Sequence, residues 1–86
     1  MIEIKVFGTT PPCANCKRAE QQALKAAGQF PGLVEVRKLD ALGPEAQAYG
    51  IMSTPLIVLQ EEVVSRGKVL PAEKLVVLLE QALKGG

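Results

Sequence analysis

The sequence predicts an α/β sandwich in which helices cover both faces of a four-stranded mixed sheet. Three observations predict this class. Polar and apolar residues alternate at the N-terminus, two longer stretches carry apolar residues at helical spacing, and short apolar runs form the remaining strands. The predicted order of elements is β-α-β-α-β-β-α, and the 86 residues are expected to form a single domain, 1–86.

The first strand is predicted at residues 2–7, IEIKVF, because Ile2, Ile4 and Val6 fall on one face. The prolines that follow cannot continue it, since proline has no N–H for the ladder. A helix is predicted from about residue 13 to residue 27. Its expected buried stripe consists of Cys16, Ala19, Ala23, Leu24 and Ala27.

The second strand is predicted at residues 33–39, LVEVRKL, and must run parallel to the first because a helical crossover joins them. A short helix is predicted over residues 44–49, since Pro44 suits its first turn and Gly50 its end.

The central strand is predicted at residues 55–59, PLIVL, whose continuous apolar run indicates burial on both faces. Gln60 and Glu61 turn the chain into an antiparallel edge strand at residues 62–67. The last helix is predicted from Pro71 to about Lys84. Its expected buried face consists of Leu75, Leu78, Leu79, Ala82 and Leu83.

Composition excludes several classes of function. Ten basic and nine acidic residues leave a formal net charge of +1, which gives no electrostatic case for nucleic acid or an acidic membrane surface. One Tyr, two Phe and no Trp offer no platform for stacked bases. The longest apolar run, at residues 75–79, is too short to span a bilayer, and the N-terminus lacks the apolar segment of a signal peptide. We therefore expect a cytoplasmic protein; we also expect a monomer.

Both cysteines lie in TTPPCANC, residues 9–16. Cys13 is predicted at the start of the first helix, where unpaired N–H groups and the helix dipole stabilise a thiolate, so we expect a lowered pKa for its thiol. Cys16 lies one turn deeper on the apolar stripe, close enough for a disulfide with Cys13. This asymmetry predicts that Cys13 attacks a substrate disulfide and that Cys16 resolves the mixed disulfide.

A metal site is the alternative that the cysteine motif leaves open. Zn²⁺ takes about four nitrogen or sulfur ligands, whereas this chain offers two thiolates and no histidine. A metal-handling module would therefore need a second chain, linear Cu(I) coordination or an external thiol. A redox-inert binding module is a third hypothesis.

YGIMSTPLIVL, residues 49–59, supplies the second half of the site. A cis Thr54–Pro55 bond would turn the chain sharply before the central strand. The backbone N–H and C=O groups of Thr54 could then pair with an extended substrate segment, as in strand addition.

Three motifs together resemble the thioredoxin/glutaredoxin superfamily, and especially its small thioredoxin-like members, the redox-active disulfide proteins. They are CANC after the first strand, YGIMSTP before the central strand and SRG before the last helix. The resemblance implies a thioredoxin-like fold with Cys13 as the nucleophile, a cis Pro55 opposite the disulfide and Thr54 as a substrate-backbone ligand. It also implies that the loop containing Arg66 and Gly67 borders the same groove.

The resemblance implies a protein dithiol–disulfide oxidoreductase in which the Cys13–Cys16 couple serves instead of a bound cofactor or metal. Its implied partners are an upstream disulfide reductase, similar to thioredoxin reductase, and disulfide-containing protein substrates. Other substrate-contacting positions are expected at Pro12, Ala14 and Asn15.

The motif departs from the superfamily's patterns. Pro12 stands where thioredoxins carry an aromatic residue, and Ala14–Asn15 replace Gly–Pro. Thioredoxins also place a buried acid on the preceding strand as the proton acceptor for the resolving thiol, whereas the matching position here is near Phe7. Proton transfer from Cys16 is therefore expected to use water or another group. Basic candidates for a glutathione carboxylate are Lys17, Arg66 and Lys68.

Overall fold

The computed structural model describes residues 2–9, 14–50 and 54–85. It has the predicted element order. The strands are β1 (Ile2–Gly8), β2 (Val34–Asp40), β3 (Leu56–Leu59) and β4 (Glu62–Arg66), and the helices are α1 (Ala14–Ala27), α2 (Pro44–Gln47) and α3 (Ala72–Gly85). The predicted site residues Pro12 and Cys13 lie outside the described residues.

The sheet is mixed, with strand order β2-β1-β3-β4. β1 runs parallel to β2, as the crossover through α1 requires, and antiparallel to β3. β3 and β4 form the predicted hairpin. Gln60 and Glu61, at its turn, both have positive φ angles, of 49° and 72°. The two central strands are therefore β1 and β3, and the described edges are β2 and β4.

The two-helix face of the sheet is covered by α1 and α3. Alternate β1 residues point into it, which confirms the face predicted from the period-two pattern. Its buried members are Ile2, Ile4, Val6, Ala19, Ala23, Ala26, Ile57, Leu59, Ala72, Leu75 and Leu79. The two helices also share a hydrogen bond, in which the Ala72 amide donates to Gln22 Oε1 at 2.8 Å.

The one-helix face lies opposite and is covered by α2 and by Tyr49. Its buried residues are Phe7, Ala46, Leu56 and Val58, with Leu39, Ala41, Tyr49 and Val63 packed around them. The sheet is thus covered by helices on both faces, as predicted, but α2 spans only four residues.

The helix stripes differ from the prediction in two places. Leu24, expected to be buried, is 54% exposed, whereas Ala26 is fully buried. The stripe centres between Ala19 and Ala23, and at 100° per residue Leu24 points about 120° away from that centre. In α3, Leu83 is 37% exposed because it lies in the last turn, beyond the packed core.

The helices of the described residues lack the length and apolarity that crossing a bilayer requires. α1 and α3 have 14 residues each, and only one stripe of each is buried.

Candidate active site

Cys16 is anchored in the first turn of α1 with its side chain turned into the sheet. It is only 1% exposed, whereas its neighbours Asn15 and Lys17 are exposed. The cause is local: Cys16, Ala19 and Ala23 recur at helical spacing, and their small side chains let the helix lie close to β1. The prediction that Cys16 lies on the apolar stripe is confirmed.

The sulfur of Cys16 packs against the end of β1. A β-carbon built on Gly8 would lie 3.0 Å from Cys16 Cβ and 3.1 Å from Cys16 Sγ, so the site requires glycine there. The Gly8 carbonyl accepts a hydrogen bond from the Ala41 amide at 2.9 Å, which holds this backbone beside the neighbouring strand. The close approach therefore belongs to the rigid end of the parallel ladder.

Thr9 follows Gly8 and is exposed. Its Oγ1 lies 3.9 Å from Cys16 Sγ, a length that the larger radius of sulfur allows for a hydrogen bond, and either atom could be the donor. Sequence reasoning treated Thr9 only as part of the segment that ends β1. The position of Thr9, directly after the glycine that ends β1, was the sequence feature that could have indicated a contact with Cys16.

Pro55 lies at the head of β3, and the Thr54–Pro55 peptide bond is cis, the isomer that the resemblance implies. The Pro55 side chain is fully buried and Thr54 is half-buried. In the antiparallel pairing of β1 with β3, Phe7 is opposite Leu56. Gly8 and Pro55 come next at that end of the two strands, so Cys16 and the cis peptide bond lie at the same end of the sheet.

The turn after β4 lies beside the cis peptide bond. The Gly67 amide donates a hydrogen bond to the Pro55 carbonyl at 2.9 Å, and Gly67 has a φ of 69°, which favours glycine. Arg66 is exposed and pairs with Leu56 across the ladder. Ser65 Oγ donates to the Lys68 carbonyl at 3.0 Å, which closes the turn.

Three exposed basic residues and one exposed acidic residue lie near this end. Lys17 and Arg18 are on α1, Arg66 is on β4, and Asp40 pairs with Gly8 at the end of β2, while the first turn of α1 contains no acidic residue. In the described residues, no group of three His, Cys, Asp or Glu side chains is placed to hold a metal ion.

Phe7, near which the resemblance places the buried acid of thioredoxins, is apolar in this chain. It is fully buried, points to the one-helix face and packs against Tyr49 with ring centroids 5.5 Å apart. Among the described residues, no polar or charged side chain is fully buried.

The predicted site residues divide into two groups. The structure brings Cys16, Thr54, Pro55, Arg66 and Gly67 to one end of the sheet. Ala14 and Asn15, at the start of α1, are exposed near the same end. Cys13 and Pro12 lie outside the described residues.

Comparisons with known proteins identify the family of this chain. The family model described as "Thioredoxin domain" matches residues 2–80. A thioredoxin of Methanocaldococcus jannaschii is 34% identical over 64 residues, which covers 72% of this chain and 74% of that protein.

Solved thioredoxin structures are similar in fold. A chloroplastic thioredoxin z superposes with a TM-score of 0.79 at 22% identity, covering 100% of this chain and 80% of its own. Thioredoxin-2, from the malaria parasite, superposes with a TM-score of 0.75 at 16% identity, covering 94% of this chain and 82% of its own. The fold, the family match and the archaeal relative agree, and this chain belongs to the thioredoxin domain family.

Proposed function

We propose that this protein reduces disulfide bonds of other proteins in the cytoplasm, through a redox couple formed by Cys13 and Cys16. The general activity, thiol–disulfide exchange with disulfide substrates and a reductase partner, follows from membership of the thioredoxin family. The residues and their order of action are the proposed part.

The single observation that carries the proposal is the placement of Cys16. Its thiol is buried against Gly8, at the end of the sheet where the Thr54–Pro55 bond is cis. A resolving cysteine needs this protection, because a buried thiol reacts with a neighbouring mixed disulfide in preference to external disulfides.

In the proposed reaction, the Cys13 thiolate attacks one sulfur of the substrate disulfide. A mixed disulfide forms, and the other substrate sulfur leaves with the bond's electron pair. Cys16 then attacks Cys13, which releases the second substrate thiol and leaves a Cys13–Cys16 disulfide. An upstream disulfide reductase returns the couple to the dithiol.

Substrate binding is assigned to the groove beside Pro55. Thr54 supports an extended substrate through its backbone, in the manner of strand addition. Arg66 and Gly67 on one side, and Pro12, Ala14 and Asn15 on the other, are the proposed walls. The exposed basic residues Lys17, Arg18 and Arg66 favour substrates with acidic residues near the disulfide.

Two matched substitutions test the cysteine roles. Cys13→Ser is expected to abolish reduction of a protein disulfide such as that of insulin. Cys16→Ser is expected to accumulate a mixed disulfide, detectable by mass spectrometry of the intact complex. Each variant controls for the other, since the chemical change is the same and only its position differs.

Two outcomes would contradict the proposal. Full turnover by Cys16→Ser without added thiol would exclude the two-cysteine mechanism. A purified protein that holds stoichiometric Cu(I) or Zn²⁺ and reduces no disulfide would favour a metal-handling module. A titration of the couple against glutathione and dithiothreitol buffers measures whether the disulfide forms and at what potential.

A further inference from the structure

We propose that the hydroxyl of Thr9 is the group through which Cys16 loses its proton, and that it then stabilises the resulting thiolate. This inference rests on the proposed function, because it concerns the resolving step. It starts from the contact between the hydroxyl of an exposed residue and a buried sulfur: Thr9 Oγ1 lies 3.9 Å from Cys16 Sγ, and Cys16 is only 1% exposed.

The resolving step has two requirements: a group must accept the proton of the Cys16 thiol, and a group must stabilise the thiolate that forms. The described apolar core supplies neither. Cys16 must react as a thiolate, yet burial in apolar surroundings disfavours the charged form. The resemblance places a buried acid near Phe7, but Phe7 is apolar and packs on the face opposite Cys16. No polar or charged side chain is fully buried among the described residues, so no buried acid of the described core can accept the proton.

Thr9 meets both requirements through the chemistry of a hydroxyl. A threonine hydroxyl accepts through its lone pairs and donates through its O–H, so it can take the thiol proton while passing its own to water. Thr9 is exposed, which gives this chain of transfers an exit to solvent. Once the thiolate has formed, the same O–H donates to Sγ, and hydrogen bonds to charged partners are the stronger class.

The position of Thr9 is fixed by the strand before it. Gly8 allows Cys16 to approach the backbone of β1 at van der Waals distance, and the hydrogen bond from Ala41 holds Gly8 in the ladder. The sheet therefore places Thr9, the residue after Gly8, beside Cys16 Sγ. A group that transfers a proton from one particular atom needs such a fixed position.

The proposed step balances as follows. The proton of the Cys16 thiol passes through Thr9 Oγ1 to water. The Cys16 sulfur attacks Cys13, a Cys13–Cys16 bond forms, and the bond between Cys13 and the substrate breaks. The substrate sulfur leaves with the electron pair and takes a proton from water. The protein dithiol is oxidised by two electrons, and the substrate disulfide is reduced.

The test uses a reagent that reports both steps. Reduced protein is mixed with slightly less than an equimolar amount of dithiobis(nitrobenzoate), an aromatic disulfide whose released thiolate is coloured. Attack by Cys13 releases the first coloured thiolate, and resolution by Cys16 releases the second. Cys16→Ser, which should release only the first, assigns the two phases.

Three variants separate the hydroxyl from the shape of the side chain. Thr9→Val keeps the branched shape and removes the hydroxyl, whereas Thr9→Ser keeps the hydroxyl. Thr9→Ala forms a second hydroxyl-free comparison with Thr9→Ser if the valine variant folds poorly, as judged by circular dichroism and thermal melting.

We expect Thr9→Val to raise the pKa of Cys16 by about one, as the loss of a hydrogen bond to a charged group would do. Since a thiolate of higher pKa is intrinsically more nucleophilic, the net slowing of the second phase at neutral pH is about threefold. At high pH, where both proteins carry the thiolate, the variant should match or pass the wild-type rate. Thr9→Ser should stay within about twofold of wild type at every pH.

The outcomes separate this inference from the proposed function. A second phase in Thr9→Val that matches wild type at every pH, or that is slowed by the same factor throughout, would overturn the inference and leave the function intact. Wild-type protein that releases only the first thiolate would overturn both. The inference would be supported if the second-phase rate of Thr9→Val, divided by the wild-type rate, rises with pH, and if Thr9→Ser keeps a rate close to that of wild type.

Discussion

The two faces of the sheet are closed by different means. On the two-helix face, the core of the described chain has eleven buried residues, which come from α1, α3 and the strands between them. On the one-helix face, the core has four buried residues, one of which lies on the single turn of α2. Most of the apolar burial, and with it most of the hydrophobic stabilisation, therefore belongs to the two-helix face.

Polar side chains complete the one-helix face where apolar ones are few. Lys5 Nζ donates to the Tyr49 hydroxyl at 3.2 Å and lies 3.6 Å from Glu3 Oε1. Arg37 bridges Glu3 at 3.6 Å and Glu45 at 3.4 Å. The long stems of Lys5 and Arg37 can cover apolar surface while their charged groups stay paired. The helix that carries Cys16, α1, therefore docks on the face with the larger core.

The largest expected effect comes from matched deletions in the two cores. Leu79→Ala on the two-helix face should lower the free energy of unfolding by about 4 kcal/mol, and Leu56→Ala on the one-helix face by about 2 kcal/mol. Both leucines are almost fully buried, so the chemical change is the same. The costs should differ because α2, a single turn, can relax into the cavity, whereas α3 is held along its length.

Urea unfolding followed by circular dichroism measures both values. Equal costs, or a larger cost for Leu56→Ala, would show that the core of the one-helix face is at least as rigid as that of the two-helix face.

A smaller effect is expected on the two-helix face at the end of β1, where Gly8 meets Cys16. Gly8→Ala should destabilise the protein by about 1–3 kcal/mol, as overpacking does, because the added β-carbon would meet Cys16 at 3.0 Å. Displacement of Cys16 should also slow the second phase of the reaction with dithiobis(nitrobenzoate). The first phase, assigned to Cys13, should change less.

Gly28→Ala is the matched control. A β-carbon there would make only ordinary contacts, the nearest being 3.4 Å from the Lys25 carbonyl oxygen, and Gly28 is exposed. We expect its stability to be unchanged or slightly higher, since alanine reduces the entropy of the unfolded chain. If Gly8→Ala and Gly28→Ala have the same free energy of unfolding and the same second-phase rate, the close packing of Cys16 on β1 contributes neither to stability nor to the resolving step.

The order of helices and strands and the burial of Cys16 could be predicted from the sequence, because the hydrophobic period and the position on a helix stripe are local properties. The prediction that Leu24 is buried was wrong. A stripe of small alanines does not indicate which side of the helix faces the sheet, because that orientation is set by how α1 docks. The contact of Thr9 with Cys16 was not predicted, because it depends on how closely the crossover returns to β1. The pairing of Lys5 with Tyr49 joins residues 44 positions apart, and no local pattern carries it.

The smallest expected effect is at the polar edge of the one-helix face. Lys5 has a pKa above its usual value of 10.5, chiefly because it donates a hydrogen bond to the Tyr49 hydroxyl, with further help from the charges of Glu3 and Glu45. Tyr49→Phe keeps the ring that packs on Phe7 and lies 5.6 Å from Lys5 Nζ, but removes the hydroxyl. The pKa of Lys5 should therefore fall toward its usual value, which a titration of the lysine Cε resonance by NMR measures.

The sign of the accompanying stability change follows from linkage. A lysine whose pKa is raised by folding contributes stability that is fully present below its unfolded pKa and is lost as the pH rises through the folded value. In the wild type, the contribution of Lys5 should thus persist through neutral pH and disappear only in the alkaline range, as the pH rises above the usual lysine value of 10.5 and through the raised pKa of Lys5. Tyr49→Phe should reduce this contribution while leaving the Leu79 core untouched, because that core lies on the other face. An unchanged Lys5 resonance titration in Tyr49→Phe would mean that the neighbouring carboxylates, and not the hydroxyl, hold the lysine at this edge.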